Sequence, residues 1–558
     1  MLRYLTRCGA LMFGALVLGS CDLEVINPDD PDAERVLATP GDLENLLNYR
    51  RWHSGLYGST GVFWGMASGQ SFENYSSLAN NCQNQRNSIP RAINDNSVGN
   101  GCNGEQQRVY YFHNEVMRTA STVLTRLEDP EFTLGSDGRD ARARSFAQFL
   151  RGLSLGYLAL FYDSSAVISP GMSPEDAGVL LGYREVLDSS MAALESAIQH
   201  ANDPDATLAG GFPIPDSWLP SPTSWTPGEF IRLIRSYRAR LRANVARTPS
   251  DPVNWDLVIA DVENGITSDH LLTTNTNTGP TNNWVQQWYS YGTWHQMTPF
   301  VIGMADNSGS YADWIALDLD VRGASGSFFM TTPDQRFPQG DTRADQQADF
   351  AVTQCSAAAT PCKRYFRNRP SGNDQNVGLG WGWSNYDHAR FYSWRFFGDG
   401  GNAANGDFPF ITKAEMDLLE AEGHIRNGDY ALALPLINNT REANGELPPL
   451  LAADNTTPVP GGNDCVPKVP QPPNFDTLAC GNMEEAMKYE KRIETAYTHF
   501  AAWFLDMRRW GDLAETTPLY WAVPYRDLQA RGWEPSEIYS TGLGTTPGSW
   551  APRGTYGW

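Results

Sequence analysis

The chain has 558 residues, 42 Lys and Arg against 64 Asp and Glu, and a formal net charge of −22. Phosphate backbones and anionic lipid surfaces are bound by clustered Lys and Arg, so this acidity argues against nucleic acid and against charge-driven membrane binding. The length allows several domains, but no low-complexity linker divides the chain into independent halves.

The N-terminus carries an address. Arg3 and Arg7 form a positive n-region, Cys8 to Leu18 is an apolar run too short for a permanent transmembrane helix, and Leu18-Gly19-Ser20-Cys21 is a small-residue cleavage site ending in cysteine. This resembles a bacterial lipobox. Residues 1–20 therefore read as a lipoprotein signal peptide, 21–558 as the mature domain and Cys21 as the lipidation site. Each buried acyl methylene adds about 0.8 kcal/mol of membrane affinity, so several chains anchor a protein without a transmembrane helix. An ordinary signal peptide with a chance cysteine is the alternative.

After the polar tether from Asp22 to Asp32, Thr39-Pro40-Gly41-Asp42 offers capping groups and an early proline, and Leu43, Leu46 and Leu47 mark one apolar face. Val109, Phe112, Val116, Ala120, Val123 and Leu127 recur at helical spacing up to Pro130. Arg142 to Tyr162 is apolar around so much of its surface that it should be buried. Three later helices, Tyr183 to Ile198, Trp255 to Ile266 and Tyr430 to Ile437, each open on an aromatic residue. Their expected antiparallel partners are Arg142 to Tyr162, Glu229 to Ala246 and Ala414 to Ile425. Stacked pairs bury faces that single helices cannot, which predicts a mainly α, tetratricopeptide-like scaffold with irregular spacing. From about 267 to 410 the chain is crowded with Gly, Asn, Ser, Thr and aromatics, and reads as a long loop-rich insertion.

Beyond Cys8 and Cys21, six cysteines fall in three close pairs: Cys82 with Cys102, Cys355 with Cys362, and Cys465 with Cys480. In an exported chain they read as disulfides, with local pairing the simplest of the possible connectivities. None has Cys-x-x-Cys spacing and the eight histidines are scattered, so no metal site and no cofactor is expected.

Catalytic motifs fail on context. Gly152-Leu153-Ser154-Leu155-Gly156 matches a nucleophile elbow, but Phe149, Leu150, Leu153, Tyr157, Leu160 and Phe161 keep one helical period through it. The glycines read as sites of close helix packing. A glycoside hydrolase needs only two carboxylates, and with 64 acidic residues that reading stays open as an alternative. Aromatic loops are the stronger candidates for function, because a flat indole or phenol stacks on the C–H face of a sugar while neighbouring polar groups bind its hydroxyls. The candidates are Trp64 and Tyr75, then Trp284, Trp288 and Trp294 with Asn283 and Gln287, and Trp381 and Trp383 with Asn385 and Asp387.

The block Met487 to Leu513 carries Glu490-Lys491-Arg492-Ile493-Glu494 and then Asp506-Met507-Arg508-Arg509-Trp510-Gly511. Acids one helical turn apart and arginines beside a tryptophan suit a helix pinned to its scaffold. With the lipobox followed by Asn27-Pro28, the Thr39 to Glu44 opening, the Asn427-Gly428-Asp429-Tyr430 turn and the Arg441 to Gly445 ending, this block resembles the SusD/RagB family of outer-membrane nutrient-binding lipoproteins. The spacing in the first piece is one residue shorter than the fullest family form, and Ala522-Val523-Pro524-Tyr525 only partly echoes the family's closing strand. The resemblance implies a SusD-like fold without catalysis. It also implies an outer-membrane location facing the cell exterior, a glycan ligand, and a SusC-like TonB-dependent transporter as partner. A helix-repeat scaffold that binds peptide or protein is the alternative from another class.

Overall fold

A computed structural model describes residues 39–57, 65–75, 82–173, 175–274, 296–318, 321–322, 328–353, 363–369, 384–391 and 406–558. The chain forms two compact units, residues 1–45 and 46–558. Helix α1 (Pro40–Leu46), all but its last residue in the first unit, opens as its sequence suggests. The Thr39 hydroxyl accepts the Asp42 N–H at 3.2 Å and donates to the Asp42 carboxylate at 2.6 Å.

The second unit is a ladder of helices. After α2 (Tyr49–Tyr57) and α3 (Gly65–Gln70) come α4 (Gly104–Leu127), α5 (Asp137–Phe161), α6 (Tyr183–Ala201), α7 (Pro227–Asn244) and α8 (Trp255–Glu263). Beyond the helix α9 (Arg343–Thr353) it resumes with α10 (Lys413–Asn427), α11 (Tyr430–Ala443), α12 (Met483–Thr495) and α13 (Ala502–Trp510). Local chemistry sets the ends: Ser136, Thr226, Asn254, Thr412 and Asn482 each accept a backbone N–H of the first turn. Gly428 stops α10 at φ 84°, a left-handed backbone that favours glycine. All three expected pairs form, α5 with α6, α7 with α8 and α10 with α11, and α6 on α7, α8 on α10 and α10 on α12 join them.

The Gly-x-Ser-x-Gly stretch lies inside α5, with Ser154 fully buried. A Cβ on Gly152 would come within 2.6 Å of Leu194, and one on Gly156 within 2.5 Å of Leu241. The glycines thus let α6 and α7 approach α5, and the Ser190 hydroxyl of α6 donates to the Gly152 carbonyl at 2.6 Å.

Strands are few and pair only in twos among the described residues. β1 (Ser164–Ala166) meets β2 (Leu180–Gly182), and β4 (Phe366–Asn368) meets β5 (Tyr386–His388). The loop-rich insertion is clasped at its base, where β3 (His270–Thr274) runs antiparallel to β6 (Gly406–Ile411). β7 (Lys468–Pro470) pairs with β8 (Leu478–Cys480), and the Cys465–Cys480 disulfide staples that loop. Cys82 and Cys102 are also joined, whereas Cys355 and Cys362 lie outside the described residues.

The motif in α12 and α13 is a buried charge network. Glu490 and Glu494 face Arg336 at 2.7 and 3.1 Å, and Arg336 also holds Asp334 at 2.7 Å. Arg509 pairs with Glu422 at 2.6 Å and with Asp506 at 2.9 Å, while the Trp510 indole donates to Glu422 at 2.8 Å. Burial would raise the Glu422 carboxyl, but Arg509, Lys491 and Arg426 outweigh it and hold it down at about 2. Arg508, which the sequence suggested could pair with an acid, instead donates to the carbonyls of Leu160, Asn244 and Leu519 at 2.7–2.9 Å.

Candidate functional site

The described ends of four segments meet at one place. Tyr75 and Gln296 exchange backbone hydrogen bonds of 2.8 and 3.0 Å. The Met297 N–H donates to the Tyr386 carbonyl at 2.9 Å, and Ser384 returns to the Met297 carbonyl through its N–H at 3.3 Å and its hydroxyl at 2.7 Å. The Asn385 N–H then reaches the Phe328 carbonyl at 2.9 Å. Tyr75 precedes 76–81, Gln296 follows 275–295, Phe328 follows 323–327 and Ser384 follows 370–383. Segments far apart in sequence are therefore rooted on one small β-bonded node.

Buried polar bonds fix the floor of the node. The Tyr386 hydroxyl lies 2.9 Å from both the Gln346 side chain and the Met330 carbonyl, and the Asn368 amide donates to Gln346 at 3.0 Å. Asp387 is gripped by Arg367 at 2.8 Å and by Arg369. Behind it, His388 stacks on Tyr497 with ring centres 4.4 Å apart, and burial pushes its imidazole well below the ordinary range, so it is neutral. Tyr497 holds a left-handed backbone at φ 60°, and its N–H donates to Glu73 at 2.8 Å. The other Glu73 oxygen has no hydrogen-bond partner, and burial pushes this carboxyl up to about 8.

Of the sequence candidates, Trp64, Trp284, Trp288, Trp294, Trp381 and Trp383 lie outside the described residues, as do Asn283, Gln287 and Cys21. Tyr75 is placed at the node, but at 2% exposure its ring is covered rather than open as the sequence reading required. Asn385 and Asp387 are buried as well, and Asp387 is held by the two arginines. Sequence reasoning missed Arg336, Glu73 and the convergence of the stems. Asp334-Gln335-Arg336 gives no periodic signal, and a pairing such as Tyr75 with Gln296 across 221 residues leaves no local trace. Among the described residues no three His, Cys, Asp or Glu side chains are placed to hold a metal, and no helix is long and apolar enough to cross a membrane.

No protein-family model and no curated protein matches the chain. Solved structures do. A SusD-like carbohydrate binding protein from Bacteroides fragilis superposes with a TM-score of 0.51 at 12% identity, over 86% of this chain and 90% of that one. A SusD homologue from Parabacteroides distasonis gives a TM-score of 0.49 at 13% identity, over 84% and 86% of the two chains. A SusD-like protein from Bacteroides fragilis gives 0.48 at 13% identity, over 86% of each. The chain has a SusD-like fold.

Proposed function

We propose that this chain is a non-catalytic outer-membrane lipoprotein that binds an extracellular glycan and passes it to a SusC-like TonB-dependent transporter. In this reading residues 1–20 are removed, Cys21 carries the lipid, residues 21–558 are one functional domain, and the bound face looks out of the cell. The observation that carries the ligand side is the node: stems of segments that contain Trp284, Trp288, Trp294, Trp381 and Trp383 are tied together within a SusD-like fold. The structure it resembles at a TM-score of 0.51 is described as carbohydrate binding. The anchor rests on Leu18 to Cys21. On the catalytic side, the Gly-x-Ser-x-Gly serine is sealed in α5 and Asp387 is neutralised by its arginines, which supports binding without chemistry.

Isothermal titration of the chain from Asp22 onward against a panel of neutral oligosaccharides tests the ligand. Binding with no new reducing ends is expected; release of reducing ends would return the hydrolase reading, and binding of peptide alone the scaffold reading. Fractionation of the full chain tests the anchor: Cys21→Ser should move it from the outer-membrane fraction to the soluble one. Co-purification with a TonB-dependent barrel tests the partner.

A further inference from the structure

A cavity of about 310 Å³, whose lining includes none of the node residues, is bounded by the segment after α7, the end of α13 and the C-terminal segment. Its lining includes three arginines, Arg247, Arg508 and Arg553, together with Phe475, Leu519 and Thr555. In a chain of net charge −22 such a concentration of cations is unusual, and these three have no described carboxylate in ion-pair range. Arg508 gives its terminal nitrogens to three carbonyls, and Arg247 donates to the Tyr162 carbonyl at 2.6 Å. Both side chains are buried, and the Nε of each has no hydrogen-bond partner. Arg553 is exposed at the rim, donates to the Gly557 carbonyl at 3.2 Å and sits 4.8 Å over the Phe475 ring.

Buried guanidinium groups are normally matched by carboxylates, as Arg336 and Arg509 are in this protein. Here a cavity is present and no described carboxylate pairs with the arginines: Arg247 lies instead against the Tyr183 and Tyr520 rings, 3.7 and 4.3 Å from their centres, and Arg508 is held by carbonyls. Burial lowers Arg247 to about 10; for Arg508 burial comes first and the neighbouring Arg247 charge adds to it, holding the group well below its ordinary range. An anion in the cavity would relieve both effects. Apart from Thr248 and Thr555 the rest of the lining, Phe475 and Leu519 among it, carries no polar side chain, which suits a ring rather than a bare inorganic ion, and the volume is at the small end of ligand sites.

We propose that this cavity binds a carboxylate carried on a single six-membered ring, either a sugar acid or an aromatic acid, with Arg247, Arg508 and Arg553 supplying the positive field. The site is separate from the node and does not rest on the glycan reading, so neutral-glycan binding and this inference can fail independently.

The test is isothermal titration of the chain from Asp22 onward, at low salt, with glucuronate, benzoate, glucose and sulfate. Binding of glucuronate or benzoate, and not of glucose, is expected, and the stronger of the two names the source of the ring. Arg553→Gln, at an exposed rim position, should weaken it about tenfold, as loss of one charged hydrogen bond does. Thr555→Trp, also exposed, should fill the cavity and abolish it. No heat from either acid at millimolar concentration overturns the proposal, as does binding that survives both variants. Sulfate binding as tightly as the acids overturns the requirement for a ring.

Discussion

In α12 and α13 the acids of the sequence motif, and Arg509, are inside the protein and matched by opposite charges, whereas Asp387, in the insertion, is buried at the node and held by Arg367 and Arg369. Arg336 ties Asp334, which lies in the insertion, to Glu490 and Glu494 of α12, so it bridges the two regions. The node is held mostly by backbone bonds, such as the pair between Tyr75 and Gln296 and the single bond from Asn385 to Phe328. The difference teaches where each kind of information sits. A rigid scaffold uses multiply bonded ions with no solvent access, whereas backbone bonds are enough to fix the roots of loop segments.

The hardest test of this contrast removes the bridge. Arg336→Ala would leave three buried carboxylates without their shared cation, and breaking a buried ion pair in this way costs about 3–5 kcal/mol. Denaturant unfolding should show that loss, while Ser384→Ala at the node, which removes a hydroxyl that donates to the Met297 carbonyl at 2.7 Å and accepts the Tyr386 N–H at 3.1 Å, should cost about 2 kcal/mol. Equal losses would mean that the scaffold and the node are not held differently.

Next in size is the staple on the β7–β8 loop. Cys465 and Cys480 are 15 residues apart, and a disulfide closing a loop of that length contributes about 3 kcal/mol. Replacing both with serine should lower the unfolding midpoint accordingly and should leave binding at the node unchanged. A smaller, pH-dependent effect is expected at Glu73. Its folded value of about 8 lies above the ordinary 4.5, so between those values the folded chain keeps a proton that the unfolded chain has released. Stability at this site therefore falls as pH rises through that window. Glu73→Gln keeps an acceptor for the Tyr497 N–H, so in denaturant unfolding it should stabilise the chain relative to the parent at pH 9, by on the order of 2 kcal/mol, and change it little at pH 4. A difference that does not depend on pH would show that Glu73 is not the titrating group.

The helical part of the fold was legible because its signals are local. Periodic Val109 to Leu127, the capping groups of Thr39 to Asp42, and the aromatic openers Tyr183, Trp255 and Tyr430 all sit where the helices begin or run. The two glycines of Gly152-x-Ser-x-Gly were also legible, since an uninterrupted apolar period excluded a strained turn and left close packing as their purpose. The node was not. Its bonds join residues far apart in the chain and are made by backbone groups, which carry no side-chain signature. The exposure of an aromatic ring is equally a tertiary property, which is why Tyr75 and a tryptophan in a polar loop look alike in sequence while Tyr75 is covered. The arginine cavity was hidden for the same reason: Arg508 belongs to a helix motif that suggests an acid partner, and only the fold shows that its terminal nitrogens go to carbonyls instead.

The smallest effect expected on stability is the most informative about function. Trp288→Ala and Trp383→Ala should leave the unfolding midpoint nearly unchanged and each weaken glycan binding about tenfold, the loss expected when one stacking face of about 1.4 kcal/mol is removed. Their combination separates two arrangements of the same residues. If the stems that meet through Gln296, Met297 and Ser384 carry the two rings to one ligand, the double variant should lose less than the sum of the single losses, because removing one ring already loosens the sugar against the other. Additive losses would place the rings on independent subsites, and the node would then be a shared root for two surfaces rather than the base of one.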